Sequence, residues 1–76
     1  MESPKVTVYG ATWCGPCQQV KKFLVDNDID YDYVDIDDYP EAMPEGYSSI
    51  PVIEVAGHHY VGYNKEVLAN LAHQDL

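Results

Sequence analysis

Apolar and polar positions follow two different periods along this chain, and the switches between them mark out the elements. Lys5 to Tyr9, Lys-Val-Thr-Val-Tyr, is β-branched and aromatic and is punctuated by Gly10, which predicts a strand in the middle of a sheet. From Cys14 the period lengthens. Cys17, Val20 and Leu24 recur at helical spacing with Phe23 beside them, while Gln18, Gln19, Lys21 and Lys22 take the other side. This predicts an amphipathic helix ending near Asp26-Asn27, with Pro16 in its first turn, where a missing N–H costs nothing. Tyr31 to Ile36 reads as a second strand, and Asp32 and Asp35 place it at the sheet edge. Strand, helix and strand within about thirty residues make a right-handed βαβ unit with parallel strands.

Residues 37–49 contain Pro40, Pro44 and Gly46 and leave space for one or two helical turns at most. Pro51 to Val55, the turn Ala56-Gly57 and His58 to Val61 read as a hairpin. Asn64 is a suitable N-cap for a closing helix from Lys65 to about Ala72 that buries Val67, Leu68 and Leu71. The expected order is β-α-β-(short α)-β-β-α.

Composition narrows the class. Seventy-six residues fit one small domain, 1–76, with a correspondingly small core. With 46% apolar residues the chain is rich enough to fold. Four Lys and Arg against thirteen Asp and Glu give a net charge of −9, which disfavours nucleic acid and anionic membrane as partners. No apolar run approaches the ~20 residues of a membrane span, and Met1-Glu2-Ser3-Pro4-Lys5 lacks the layout of a secretory leader. The expectation is a soluble, cytoplasmic monomer.

Both cysteines lie in Trp13-Cys14-Gly15-Pro16-Cys17. A bridge closing so short a loop removes little unfolded-state entropy, so the pair is better explained by chemistry than by stability. Cys14 is expected at the positive end of the helix, beside N–H groups without intrahelical partners, which favours thiolate and makes it the nucleophile. Cys17, a turn later and facing inward, is placed to attack a mixed disulfide formed at Cys14. The rival reading is a metal site of Cys14 and Cys17 with two of His58, His59 and His73. Adjacent histidines on a strand point to opposite faces, which argues against it. Asp26, Asp28, Asp30 and Asp37 imitate calcium-loop spacing, but Tyr31 stands where a glycine is needed, so a solvated helix end is expected instead. Trp13 is expected to be partly exposed as an apolar platform, core burial being the alternative, with Tyr47, Ile50 and Tyr63 as a rim around the sulfurs.

Trp13 to Cys17 following a strand is similar to the active-site motif of thioredoxins. The element order, Ser49-Ile50-Pro51 ahead of the hairpin, and the lack of an extra N-terminal strand and helix resemble glutaredoxins, and among these the NrdH-redoxins, over about Lys5 to Leu71. The resemblance implies an α/β thioredoxin-like fold of glutaredoxin type, β-α-β-α-β-β-α, with a four-stranded mixed sheet and helices on both faces. It implies a thiol–disulfide oxidoreductase with Cys14 and Cys17 as catalytic pair and no bound cofactor. Trp13, Gly15, Pro16, Ile50, Pro51, Gly62 and Tyr63 would contact substrate. Ile50-Pro51 would be a cis peptide facing the cysteines, and Tyr60 to Tyr63 would form the aromatic element before the last helix.

By family the clients are protein disulfides, ribonucleotide reductase among them, and electrons come from a thioredoxin-reductase-type flavoenzyme. Use of glutathione is the alternative. It is weakened by Ala11, where glutathione users carry a basic residue, by Val61-Gly62-Tyr63-Asn64 in place of a Gly-Gly-acidic element, and by the net negative charge. Asn64-Lys65 replaces the Arg-Pro of NrdH-redoxins. Val8 stands where thioredoxins bury an acid, so protons at Cys17 must be handled by water or another group.

Overall fold

The computed structural model describes residues 5–73, apart from the His73 side chain. The readings of Met1 to Pro4 and of the His73 side chain lie outside that part. Strand β1 runs Val6–Gly10, helix α1 Gly15–Asp26, β2 Tyr31–Asp35, β3 Val52–Val55, β4 His58–Val61 and helix α2 Lys65–His73. The strands form one mixed sheet in the order β2-β1-β3-β4. β1 is interior, paired parallel with β2 and antiparallel with β3, and β2 lies at the edge as its aspartates require. No helix among the described residues is long and apolar enough to cross a membrane.

Period-two alternation along β1 buries Val6, Val8 and Gly10 on one face. Val20 and Leu24 of α1, Ile53 of β3, and Leu68 and Leu71 of α2 close over the valines as one core. Both α-helices therefore cover the same face. This corrects the expectation of helices on both faces. Between β2 and β3 the chain supplies only a single 3₁₀ turn, Pro40–Ala42, because the prolines and Gly46 break longer runs. On the opposite face the Tyr9 hydroxyl donates to Glu54 Oε1 at 2.9 Å, and His59 Nε2 lies 3.3 Å from the same oxygen.

Local chemistry sets the ends. Asn64 Oδ1 accepts from the N–H groups of Glu66 and Val67 at 3.1 and 3.2 Å, capping α2 as expected. α1 closes with Asp28 at φ 55°, while the Ile29 N–H donates to Leu24 O and the Asp28 N–H to Val25 O. In the hairpin both central residues have positive φ, 50° at Ala56 and 84° at Gly57, which matches the twist of the flanking strands.

Candidate active site

Strand β1 delivers the chain to the cysteines through a tight turn. The Ala11 carbonyl accepts from the Cys14 N–H at 3.2 Å and from Gln18 Nε2 at 3.0 Å, fastening the turn to the first coil of α1. Cys14 is the N-cap rather than the first helical residue: its backbone is extended, and its Sγ accepts from the Cys17 N–H at 3.3 Å. Pro16 occupies the first turn, as expected. The cysteines are joined as a disulfide with Cα atoms 5.2 Å apart.

The two sulfurs differ in access. Cys14 is 7% exposed and Cys17 is fully buried. Ala11, Cys14 and Cys17 form a small apolar cluster of their own, and Ile50 packs against it. Gly15, Pro16 and Trp13 stand exposed beside Cys14. Trp13 is 69% exposed, so core burial is excluded, and its Nε1–H donates to Asp37 Oδ2 at 2.7 Å. The Asp37 N–H in turn donates to Asp35 Oδ1 at 2.9 Å.

Ile50-Pro51 is a cis peptide, with Pro51 buried, and the Pro51 carbonyl accepts from the Gly62 N–H at 2.8 Å. Gly62 reaches that bond from φ 86°. Among the described residues the Ile50 main chain makes no backbone hydrogen bond. Neither of the remaining rim candidates packs against the cysteine cluster. Tyr63 packs against the main core, and the Tyr47 ring stacks on His59 with centroids 5.3 Å apart, on the face away from that core. His58 and His59 occupy opposite faces of β4, as alternation dictates, and no three Cys, His, Asp or Glu side chains converge among the described residues.

Three residues of the site escaped the sequence reading. Asp37 anchors Trp13. Gly10, read as strand punctuation, is the gap into which Cys17 fits: a Cβ there would stand 2.8 Å from Cys17 Sγ. The same point is 2.8 Å from the Tyr33 hydroxyl oxygen, which is buried without a well-formed hydrogen bond, the Gln18 side chain approaching it. Burial foremost, then the Asp35 carboxylate, holds the Tyr33 phenol above its ordinary pKa. The readable signal was register, since Tyr33 pairs with Val8 and so shares a face with Gly10.

Chemically, the oxidised pair is a two-electron acceptor, and of its two residues only Cys14 retains any exposure to an outside thiol. Residues 6–60 match the glutaredoxin family model. A glutaredoxin-like NrdH protein of Lactococcus lactis subsp. lactis is 35% identical over 71 residues, covering 88% of this chain and 99% of that protein. The fold is similar to that of the NrdH-redoxin of Escherichia coli, with TM-score 0.80 and 21% identity over 88% of this chain and 93% of that one. It is also similar to a glutaredoxin of Archaeoglobus fulgidus, with TM-score 0.73 and 27% identity over 90% and 85% of the two chains. The chain thus belongs to the glutaredoxin family, with NrdH-type relatives, and is a thiol–disulfide oxidoreductase of thioredoxin-like fold.

Proposed function

We propose that this protein reduces disulfides of client proteins in the cytoplasm, with Cys14 as the attacking and Cys17 as the resolving sulfur. The Cys14 thiolate attacks a client disulfide, one client sulfur leaves as thiolate, and a mixed disulfide forms. Cys17, having lost its proton, attacks Cys14 Sγ. The second client sulfur departs with the electron pair and takes up a proton, and the Cys14–Cys17 disulfide remains. The observation that carries this reading is the difference in access across one helical turn, together with the Cys17 N–H directed at Cys14 Sγ. That N–H and the helix dipole both favour a thiolate at Cys14.

Trp13, Gly15 and Pro16 offer an exposed docking surface beside the reactive sulfur, and the unpaired Ile50 main chain is free to bond an extended client segment. Pro51 and Gly62, joined by the Gly62 N–H bond to the Pro51 carbonyl, support that edge, with Tyr63 following them into the core. The electron donor in this reading is a thioredoxin-reductase-type flavoenzyme, and the client, following the NrdH relatives, is ribonucleotide reductase. Ala11 and the net charge of −9 weigh against the anionic tripeptide glutathione.

Reduction of the oxidised protein by NADPH with thioredoxin reductase, compared with glutathione and its reductase, tests the donor. Turnover is expected with the first pair, and faster turnover with the second would make the protein a glutathione-dependent glutaredoxin. Cys17→Ser, presented with a disulfide-containing protein, is expected to accumulate a covalent mixed disulfide visible by mass spectrometry, whereas Cys14→Ser is expected to form none.

A further inference from the structure

A buried hydroxyl without a partner destabilises a folded protein by about 1–3 kcal/mol, so one beside a reactive sulfur needs a reason. The Tyr33 oxygen is such a group: no side chain among the described residues completes a hydrogen bond to it, and the Gln18 amide that approaches it has its Nε2 bonded to Ala11 O. Its placement is specific. The space left by the missing Gly10 side chain is bounded on one side by this oxygen and on the other by Cys17 Sγ, each 2.8 Å from the point a Cβ would occupy. At most twice that distance separates the two atoms. In the oxidised protein the sulfur is committed to Cys14 and is a poor acceptor. Once the bond opens, Cys17 becomes a thiolate or thiol in a site closed to solvent.

We propose that Tyr33 is a positioning residue for Cys17: its hydroxyl lacks a partner in the oxidised protein and donates a hydrogen bond to the Cys17 thiolate in the reduced one. The proposal rests on the reading of Cys17 as the resolving sulfur. It supplies the group that Val8, in place of a buried acid, leaves missing.

When a donor dithiol reduces the protein, its electron pair breaks the Cys14–Cys17 bond and Cys17 leaves as thiolate. The Tyr33 O–H then stabilises that charge. In the client half-reaction the same bond raises the share of Cys17 present as thiolate, and hence its rate of attack on Cys14 Sγ. The proton passes to solvent or to the departing client sulfur. Tyr33 keeps its own proton throughout, because burial and the nearby carboxylates disfavour the phenolate. The charged and titratable groups facing it are Asp35, Tyr31 and Asp37, with Lys21 Nζ from α1 4.2 Å above its ring.

Both halves of the proposal act in one direction: Tyr33→Phe removes an unpaired group from the oxidised form and a hydrogen bond from the reduced one. Titration of the Cys17 thiolate by its ultraviolet absorbance in a Cys14→Ser background is the test. Adding Tyr33→Phe is expected to raise the midpoint by about one pH unit. In the protein with both cysteines, the equilibrium against dithiothreitol should shift about tenfold toward the oxidised form. The oxidised variant should melt no lower than the parent, since the ring and its Lys21 contact are kept. An unchanged Cys17 midpoint overturns the proposal, and so does an equal shift from Tyr31→Phe, two residues along the same strand. Neither readout involves a client or a reductase, so they stand apart from the donor comparison above.

Discussion

Cys17 Sγ fills the place where a side chain on Gly10 would have to stand, 2.8 Å from an added Cβ and in van der Waals conflict with it. Gly10 ends β1 with strand geometry, so space and not backbone freedom demands glycine there. Gly10→Ala must push either Cys17 or Tyr33 aside, and Cys17 is fixed by the disulfide and by its place on α1. Overpacking of this kind costs about 1–3 kcal/mol. Thermal denaturation of the oxidised variant is expected to show a melting temperature lower by roughly 5–20 °C for a domain of this size.

Trp13, next to Cys14 in the chain, is anchored by a hydrogen bond to Asp37, and both residues are exposed. Asp37→Ala should therefore leave stability within about 0.5 kcal/mol of the parent while freeing the indole. Tryptophan fluorescence anisotropy should fall, reporting Trp13 alone, as it is the sole tryptophan. Reduction of a protein disulfide should slow several-fold through KM, while reduction of a small aromatic disulfide should keep its rate.

Tyr9 and Tyr33 both have phenols held above their ordinary value, each chiefly by burial, with Glu54 adding to the effect at Tyr9 and Asp35 at Tyr33. A group whose folded pKa is raised stabilises the protein fully below its unfolded value, near 10 for tyrosine, and that stabilisation is lost as pH climbs through the folded value. Urea midpoints measured from about pH 9 upward should decline steadily in the parent. They should decline less steeply in Tyr9→Phe, even though that variant starts lower for want of the bond to Glu54.

The hairpin turn carries a side chain in left-handed backbone at Ala56, φ 50°. Only glycine, asparagine and aspartate adopt that region readily, and Asn-Gly is the preferred pair for such a turn. Ala56→Asn is expected to stabilise the protein by about 0.5–1 kcal/mol without affecting disulfide exchange, as equilibrium urea denaturation would show.

Much of this was legible in the residues because it is local. The helical spacing of Cys17, Val20 and Leu24 named the three side chains α1 buries, and the opposed His58 and His59 followed from strand alternation alone. Asn64 as a cap is likewise a matter of three consecutive positions. What stayed hidden depends on partners distant in sequence. Tyr33 meets Gly10 only because the parallel register sets Val8 against Tyr33, and Trp13 meets Asp37 across 24 positions. The seven tyrosines carry no mark of their partners: Tyr47 stacks on His59, which its sequence neighbours do not announce. The helix missing from the sheet's second face reflects the weak pattern of residues 37–49, where prolines permit only one 3₁₀ turn.

The division of labour between the two sulfurs is tested most directly by alkylating the fully reduced protein with a limiting amount of iodoacetamide and locating the label by peptide mass spectrometry. Cys14, at the mouth of α1, is expected to react at least about tenfold faster than Cys17, and to keep reacting at pH values where an ordinary thiol is protonated. Equal labelling of the two residues, or modification of Cys17 first, would contradict it.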